Sequence, residues 1–451
     1  MLLAIEWSVV GIKTAQFILS FSILVVLHEL GHFIPAKIFK CRVDKFYLFF
    51  NPWFSLWKKQ KGETEYGIGW VPFGGYVKIA GMIDESMDKE QLKLPPQPYE
   101  FRSKKAWQRL IIMIGGVVVN IILAIVIFIG IMYAWGEEYL PAKGLKYGFY
   151  ADSLGKQIGL KDGDVVLKIG NKDVKNEFKI AGEIIVSEAK SITVLRDSQE
   201  VQLPISDNLI RELNKSKGEK FATVRFPFII SEFEKSSKAP EAGVKVGDRI
   251  IGIDSLSALY ANEFFAAMKN SSSKKTIQLK VIRNQKDTLL IKVPLIADGK
   301  IGVHPVTDFD KLGFTVETKK YSFAEAIPAG YTMCWNTLSH YLTGIKQLFT
   351  GKAKASESLG SVISIGGLFP SQWDWQTFWT LTAIFSIILA FMNILPIPAL
   401  DGGHALFTIV EMITGRKPSD KFMEYAQMVG MILLLGLMAY ALGLDFLRLF
   451  K

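Results

Sequence analysis

Apolar residues in this chain gather into a few long runs, and between them the pattern changes to loose alternation or to globular mixing. Four runs are long enough to cross a bilayer: roughly Val9 to Phe39, Trp107 to Trp135, Phe378 to Leu400, and Met428 to Leu447. About 20 apolar residues span the hydrocarbon core as a helix, a form in which the backbone satisfies its own hydrogen bonds. Thr64–Gly81 alternates instead and is rich in Tyr, Trp, Val and Gly, which predicts a β-hairpin turning at or near Pro72 to Gly75. Its apolarity is odd for a loop in water; a re-entrant hairpin dipping beside a wet cavity accounts for it, and an ordinary surface hairpin fits the pattern equally. Met82 to Gln97 is polar with a Pro-Pro pair and predicts exposed loop. Ala324–Phe349 carries Ile327, Tyr331, Trp335, Leu338, Leu342 and Ile345 at helical spacing. It predicts an amphipathic helix along the outer membrane surface or capping the second of two small domains that precede it.

Between about Leu140 and Pro305 hydropathy drops and the chain repeats itself. GLKDGDVVLKIG begins at Gly159, and AGVKVGDRIIGID begins at Ala242. Each predicts a short helix ending in Gly, then Gly-Asp, then an alternating strand and turn. The spacing from Gly163 to Gly247 is too long for a solenoid repeat and suits two small α+β domains in tandem. The expected order is a first span (1–40), a basic loop with the hairpin (41–106) and a second span (107–136). Two small domains (137–218 and 219–306) and an amphipathic linker (307–375) come next. A third span (376–404), a second basic loop (405–427) and a fourth span (428–451) complete the chain.

Charge orients this series. The net charge of +10 over 451 residues gathers near the ends of apolar runs and forms no reading helix or stripe, which argues against nucleic acid. Lys58, Lys59 and Lys61 in one loop and Arg416, Lys417 and Lys421 in the other place both loops in the cytoplasm by the positive-inside rule. The tandem domains then fall on the outer side. Cys41 and Cys334 are the two cysteines and form no CxxC, so neither a disulfide framework nor a thiolate metal site is indicated.

Inside the first span stands His28-Glu29-Leu30-Gly31-His32. On a helix the two histidines are i and i+4, so both imidazoles leave one face and can grip one Zn²⁺. The intervening Glu29 is then placed to take a proton from an attacking water. Ionisable residues in a span cost free energy unless something coordinates or solvates them, which makes this cluster a functional candidate. A catalytic site wants a third ligand, and the candidates are Asp401 and His404, at the end of the third run. Pro396 and Pro398 force that run to unwind at membrane depth.

The chain resembles the site-2 proteases, intramembrane zinc metalloproteases, and more closely their bacterial RseP-like branch with two PDZ domains between the second and third spans. The resemblance rests on HELGH, FGGYVKIAG at 73–81, the AGxxxGDxIxxI repeat, LGSVISIGG at 359–367 and NILPIPALDGGH at 393–404. It implies a polytopic α-helical membrane protein with four transmembrane helices, a re-entrant β-hairpin and two PDZ-like domains on the outer side. It implies His28, His32 and Asp401 as zinc ligands and Glu29 as acid and base. Asn393 is implied as a substrate contact, and the hairpin residues Gly74, Gly75, Tyr76 and Val77 offer an edge on which an unwound substrate adds as a strand. Implied substrates are single-span membrane proteins such as anti-sigma factors, and signal peptide remnants, in a bacterial inner membrane. The competing class is a membrane scaffold that binds peptides through PDZ modules around a structural zinc site. Glu29 discriminates, because a structural site needs no base.

Overall fold

The computed structural model describes residues 7–82, 95–216, 218–296 and 299–449. The predicted loop at 82–97 falls largely on residues 83–94, outside the described residues. Two compact units emerge. The first takes the described residues up to Gly136, Lys320–Ile345 and those from Ala355 onward, and the second takes Glu137–Lys319 with Lys346–Lys354.

Among the described residues, four helices of the first unit are long and apolar enough to cross a membrane: α1 (Trp7–Ile38), α2 (Ala106–Ala134), α5 (Trp375–Ile394) and α7 (Asp420–Leu449). Between α2 and α5 lie α3 (Phe323–Phe349) and the short α4 (Val362–Gly367), and α6 (Asp401–Thr414) stands between α5 and α7. Small and polar residues join the spans, as expected where apolar side chains gain little by leaving lipid. Gly31 of α1 and Gly115 of α2 cross so closely that a Cβ on either would run into the other's backbone. Ser20 and Thr382 share a buried 2.8 Å hydrogen bond between α1 and α5. Asp445 of α7 accepts from the backbone amides and hydroxyls of Ser361 and Ser364, anchoring the start of α4.

Three sequence expectations change. Pro72 to Gly75 is not a turn but lies inside a strand. The sheet comprises β1 (Val43–Phe50), β2 (Trp57–Lys61), β3 (Thr64–Ile68) and β4 (Val71–Ile79), in the order β2-β3-β1-β4. β1 enters between β3 and β4, parallel to β3 and antiparallel to β4, so the expected hairpin strands are not partners. The break falls at Gly69 and Trp70, where a Cβ on residue 69 would strike the Phe50 carbonyl. Pro72 is tolerated because β4 is an edge strand.

The third run unwinds as Pro396 and Pro398 require, and what changes is the expectation of a single span over 376–404. α5 stops at Ile394, the chain unwinds from Leu395 to Leu400 around Pro396 and Pro398, and helix resumes at Asp401. Most of what reads as a basic loop from 405 is therefore helix, ended by Gly415 in a left-handed conformation (φ 70°). The fourth span likewise starts at Asp420, since its polar first turns are helical although not apolar. Third, α3 packs on helices of the first unit over most of its length, while its last residues, from Lys346, belong to the second unit. Ala326 and Cys334 are buried with Ala124, Phe128 and Ile131 of α2 and Ala383 and Ile387 of α5.

The second unit contains two cores. The first gathers Leu154, Val166, Ile184, Val194, Leu213 and Phe221 around strands 165–169, 191–196 and 199–204. Strand Ala222–Val224 pairs with Phe149–Ala151, so this body runs past the expected boundary at 218, and Leu312 and Phe314 return to it. The second core gathers Phe228, Ile250, Phe264, Leu279 and Val281. In both bodies the Asp of Gly-Asp is buried and gripped by an arginine two strands on. Asp164 pairs with Arg196 and Asp248 with Arg283, both at 2.6–2.9 Å, and each guanidinium also donates to the carbonyl of Gly159 or Gly243.

Candidate metal centre

Three elements of the first unit deliver the centre. α1 brings His28 and His32 to one face, both buried. α2 backs that face with residues 112, 116 and 120, one helical stripe at i, i+4 and i+8. Its Gly116 leaves the space: a Cβ there would lie 2.5 Å from His28 Cε1 and from His32 Nε2. The unwound stretch after α5 delivers Asp401 at the first position of α6. Leu395 to Leu400 thus turns the chain so that a carboxylate meets the imidazoles, which a continuous helix would carry past.

The three donors converge. Asp401 Oδ2 lies 3.3 Å from His28 Nε2 and 3.2 Å from His32 Nε2, and the two imidazole nitrogens are 3.3 Å apart. A tetrahedral zinc site with bonds of about 2.0–2.1 Å has ligand–ligand edges of about 3.3 Å. Asp401 Oδ2 is buried with no hydrogen-bond donor among the described residues, the condition of an oxygen reserved for a cation. The donor set, two imidazoles and one carboxylate, is that of open catalytic zinc sites. The residues therefore fit the metal.

On the far side of its ring, His32 Nδ1 lies 2.8 Å from the Ile112 carbonyl. His28 Nδ1 lies 3.1 Å from Asn120 Nδ2, and Asn393 Nδ2 lies 3.2 Å from His28 Nε2. Ser386 Oγ of α5 donates to the Asn120 carbonyl at 2.7 Å. A cavity of about 520 Å³ opens onto the three donors. Glu29 lines it and meets the Val77 backbone amide of β4. The edge strand contributes Gly75, Tyr76, Val77 and Lys78, whereas Gly74 stays outside the lining, against the Phe50 ring. His404 lines the cavity without joining the three-donor group. His304 faces Glu234 in the second unit, 3.6 Å away. Gln427 of α7 also lines the cavity, buried with an unpartnered Oε1, and no motif marks it in the sequence.

Comparison with protein families matches the description "Peptidase family M50" over residues 16–437. Among curated proteins, the regulator of sigma E protease of Haemophilus influenzae is 27% identical over 459 residues, covering 96% of this chain and 98% of its own. The regulator of sigma-E protease RseP of Escherichia coli is 26% identical over 458 residues, with the same coverage. A Neisseria meningitidis chain whose name places it among the zinc metalloproteases is 26% identical over 460 residues.

Proposed function

The chain belongs to peptidase family M50, as a multi-pass membrane protease of the site-2 type, and we propose that His28, His32 and Asp401 hold its catalytic Zn²⁺ while Glu29 moves the protons. The observation that carries this is the convergence of three donors at tetrahedral spacing, inside a cavity that also holds a carboxylate and the edge of a sheet. Zinc held there supplies Lewis-acid polarisation to the scissile carbonyl and to the attacking water. Glu29 accepts the water's proton and returns it to the leaving amine. Asn393 offers its amide to an unwound stretch of substrate. Gly75 to Val77, on an edge strand continuous with Gly74, accept that stretch by strand addition, which replaces the helical hydrogen bonds the substrate gives up.

The substrates on this reading are single-span membrane proteins, of which anti-sigma factors are the type suggested by relatives named as regulators of sigma E, and signal peptide remnants. The membrane is the bacterial inner membrane. The two small bodies act as PDZ-like domains on its outer side, and the sheet β1–β4 with its edge strand re-enters the bilayer. Glu29→Gln tests the proposal. It should keep a full equivalent of zinc and lose about 10²–10⁴-fold or more of the cleavage rate of a single-span substrate in detergent. Asp401→Ala should lose tight zinc binding with activity. Near-wild-type turnover of Glu29→Gln would remove the base, and a full zinc equivalent in Asp401→Ala would move the third ligand elsewhere.

A further inference from the structure

The sequence marks Asn120 only as a lone polar group in an apolar span, needing a partner within the bundle. The structure supplies the partner. Asn120 is fully buried, and its side-chain nitrogen lies 3.1 Å from Nδ1 of His28. Its Oδ1 is buried with no partner among the described residues. An orphaned buried acceptor gives up its hydration for nothing, and the cost is avoidable here.

The His28 ring decides how. A neutral imidazole has one nitrogen that accepts and one that donates, and an imidazolium accepts nowhere. Nε2 stands on the side of Asp401, 3.3 Å from its Oδ2, with the Asn393 amide also 3.2 Å away. On the three-donor reading Nε2 keeps its lone pair for the cation, so Nδ1 carries the hydrogen. An amide nitrogen at Nδ1 would set donor against donor. The two ends of an amide are told apart by the partners they find. Turning the Asn120 amide about its terminal bond places Oδ1 against Nδ1–H and relieves both faults without moving the ring. His32 shows the same arrangement eight residues back along α2, where its Nδ1 meets the Ile112 carbonyl at 2.8 Å and leaves Nε2 free.

We propose that Asn120 is a positioning residue: its side-chain oxygen accepts from Nδ1–H of His28 and holds the ring with Nε2 turned toward Asp401. α2 then orients both imidazoles, one through a backbone carbonyl and the other through this side chain. Ser386 fixes the Asn120 backbone in turn, tying the assembly to α5. The inference rests on the His28–His32–Asp401 reading of the centre, and partners of this kind are typically worth about 10–100-fold in metal affinity or activity.

The test compares zinc affinity of the full chain in detergent, by competition with a chromogenic chelator, for wild type, Asp401→Ala, Asn120→Ala and Asn120→Asp. Melting temperatures of the metal-free proteins are measured alongside. The expected result is a Kd raised about 10–100-fold in Asn120→Ala and restored to within a few-fold of wild type in Asn120→Asp, which keeps the acceptor and has no donor. Should Asn120→Ala fail to fold, Asn120→Ser takes its place, since its hydroxyl is too short to reach the ring. Unchanged affinity in Asn120→Ala overturns the proposal. So does Asn120→Asp binding as weakly as Asn120→Ala, which would make the residue a donor or mere packing between α2 and α5. If wild type and Asp401→Ala bind zinc equally, the metal centre itself is misassigned, a result distinct from either.

Discussion

Two single residues carry predictions of opposite kinds. Gly116 matters for what it lacks. Its α-carbon fits between the imidazoles only because no Cβ stands there, and Ala would place a methyl 2.5 Å from both rings, closer than side-chain carbons approach. One ring has to turn, so Gly116→Ala should weaken zinc binding by about 10-fold or more while the apo protein still inserts and folds. Chelator competition on purified protein measures this. Glu177 matters for what it holds. It is buried in the first small body with neither carboxylate oxygen partnered. Burial, with a smaller contribution from the nearby Glu183, pushes its pKa from 4.5 up to about 8. The folded state therefore binds this proton more tightly than the unfolded chain does. Its contribution is fully present below about pH 4.5 and is lost as pH rises through about 8. Glu177→Gln, which cannot ionise, should flatten the fall in melting temperature across that window, and an unchanged slope would show that the carboxyl is relieved by some other group. His28, Glu29, His32 and Asp401 were legible as residue types in a pattern. Gly116 and Asn120 were not assignable, because their meaning depends on which helix face meets which.

At the scale of elements, the sequence indicated periodicity well and connectivity poorly. The alternation of 64–81 is real strand, but its partner is β1, and nothing local to 64–81 announces an insertion from 43–50. Pro396 and Pro398 correctly forecast an unwound stretch, but not that helix resumes at Asp401 as α6, which packs beside α2 with a partly buried Arg109–Glu411 pair between them. The internal repeat was visible as Gly-Asp and a strand, while its strongest equivalence was not. Arg196 and Arg283 are far in sequence from the aspartates they clamp, and only the fold shows that the two pairs are the same device. Each clamp joins a Gly-containing loop to the strand after next and neutralises a buried carboxylate whose other donor is a backbone amide, that of Lys161 or Lys245. Removing the guanidinium leaves that charge buried with the amide but no counter-charge, the costly half of a broken pair. Arg283→Leu should therefore lower the melting temperature of the second small body. The double variant Arg283→Leu with Asp248→Asn should recover part of the loss. Thermal unfolding of the four proteins of that cycle gives the coupling directly, and an additive result would mean that the pair does not act as a unit.

At the scale of the molecule, the contacts within the first unit fix how its spans run. Ser20 meets Thr382 and His28 meets Asn393, so residue numbers rise together along α1 and α5, and the two are parallel. His32 meets Ile112 and His28 meets Asn120, so α2 runs against them. α7 also runs against α5: Gly430 abuts Pro398 beyond the end of α5, while Asp445 binds Ser361 and Ser364 ahead of its start. Leu433, Leu435 and Leu437 of α7 stay exposed, as expected of a face turned to lipid. Parallel α1 and α5 with antiparallel α2 and α7 require one crossing per span, and the metal centre needs that parity, since His28 and Asp401 must arrive from the same direction. Charge then chooses the orientation: Lys59 and Lys417 belong to the basic ends of these crossings and should face the cytoplasm. Lys286, in a turn of the second small body, should face the opposite side. Single cysteines at these three exposed positions give the test, with Cys41 and Cys334 as buried background thiols. A membrane-impermeant maleimide added to intact cells with a permeabilised outer envelope should label Lys286→Cys. It should reach Lys59→Cys and Lys417→Cys only after the inner membrane is opened. Labelling of Lys59→Cys and Lys417→Cys from opposite sides would break the parity, and a centre joining α1 to the end of α5 could not then form in one leaflet.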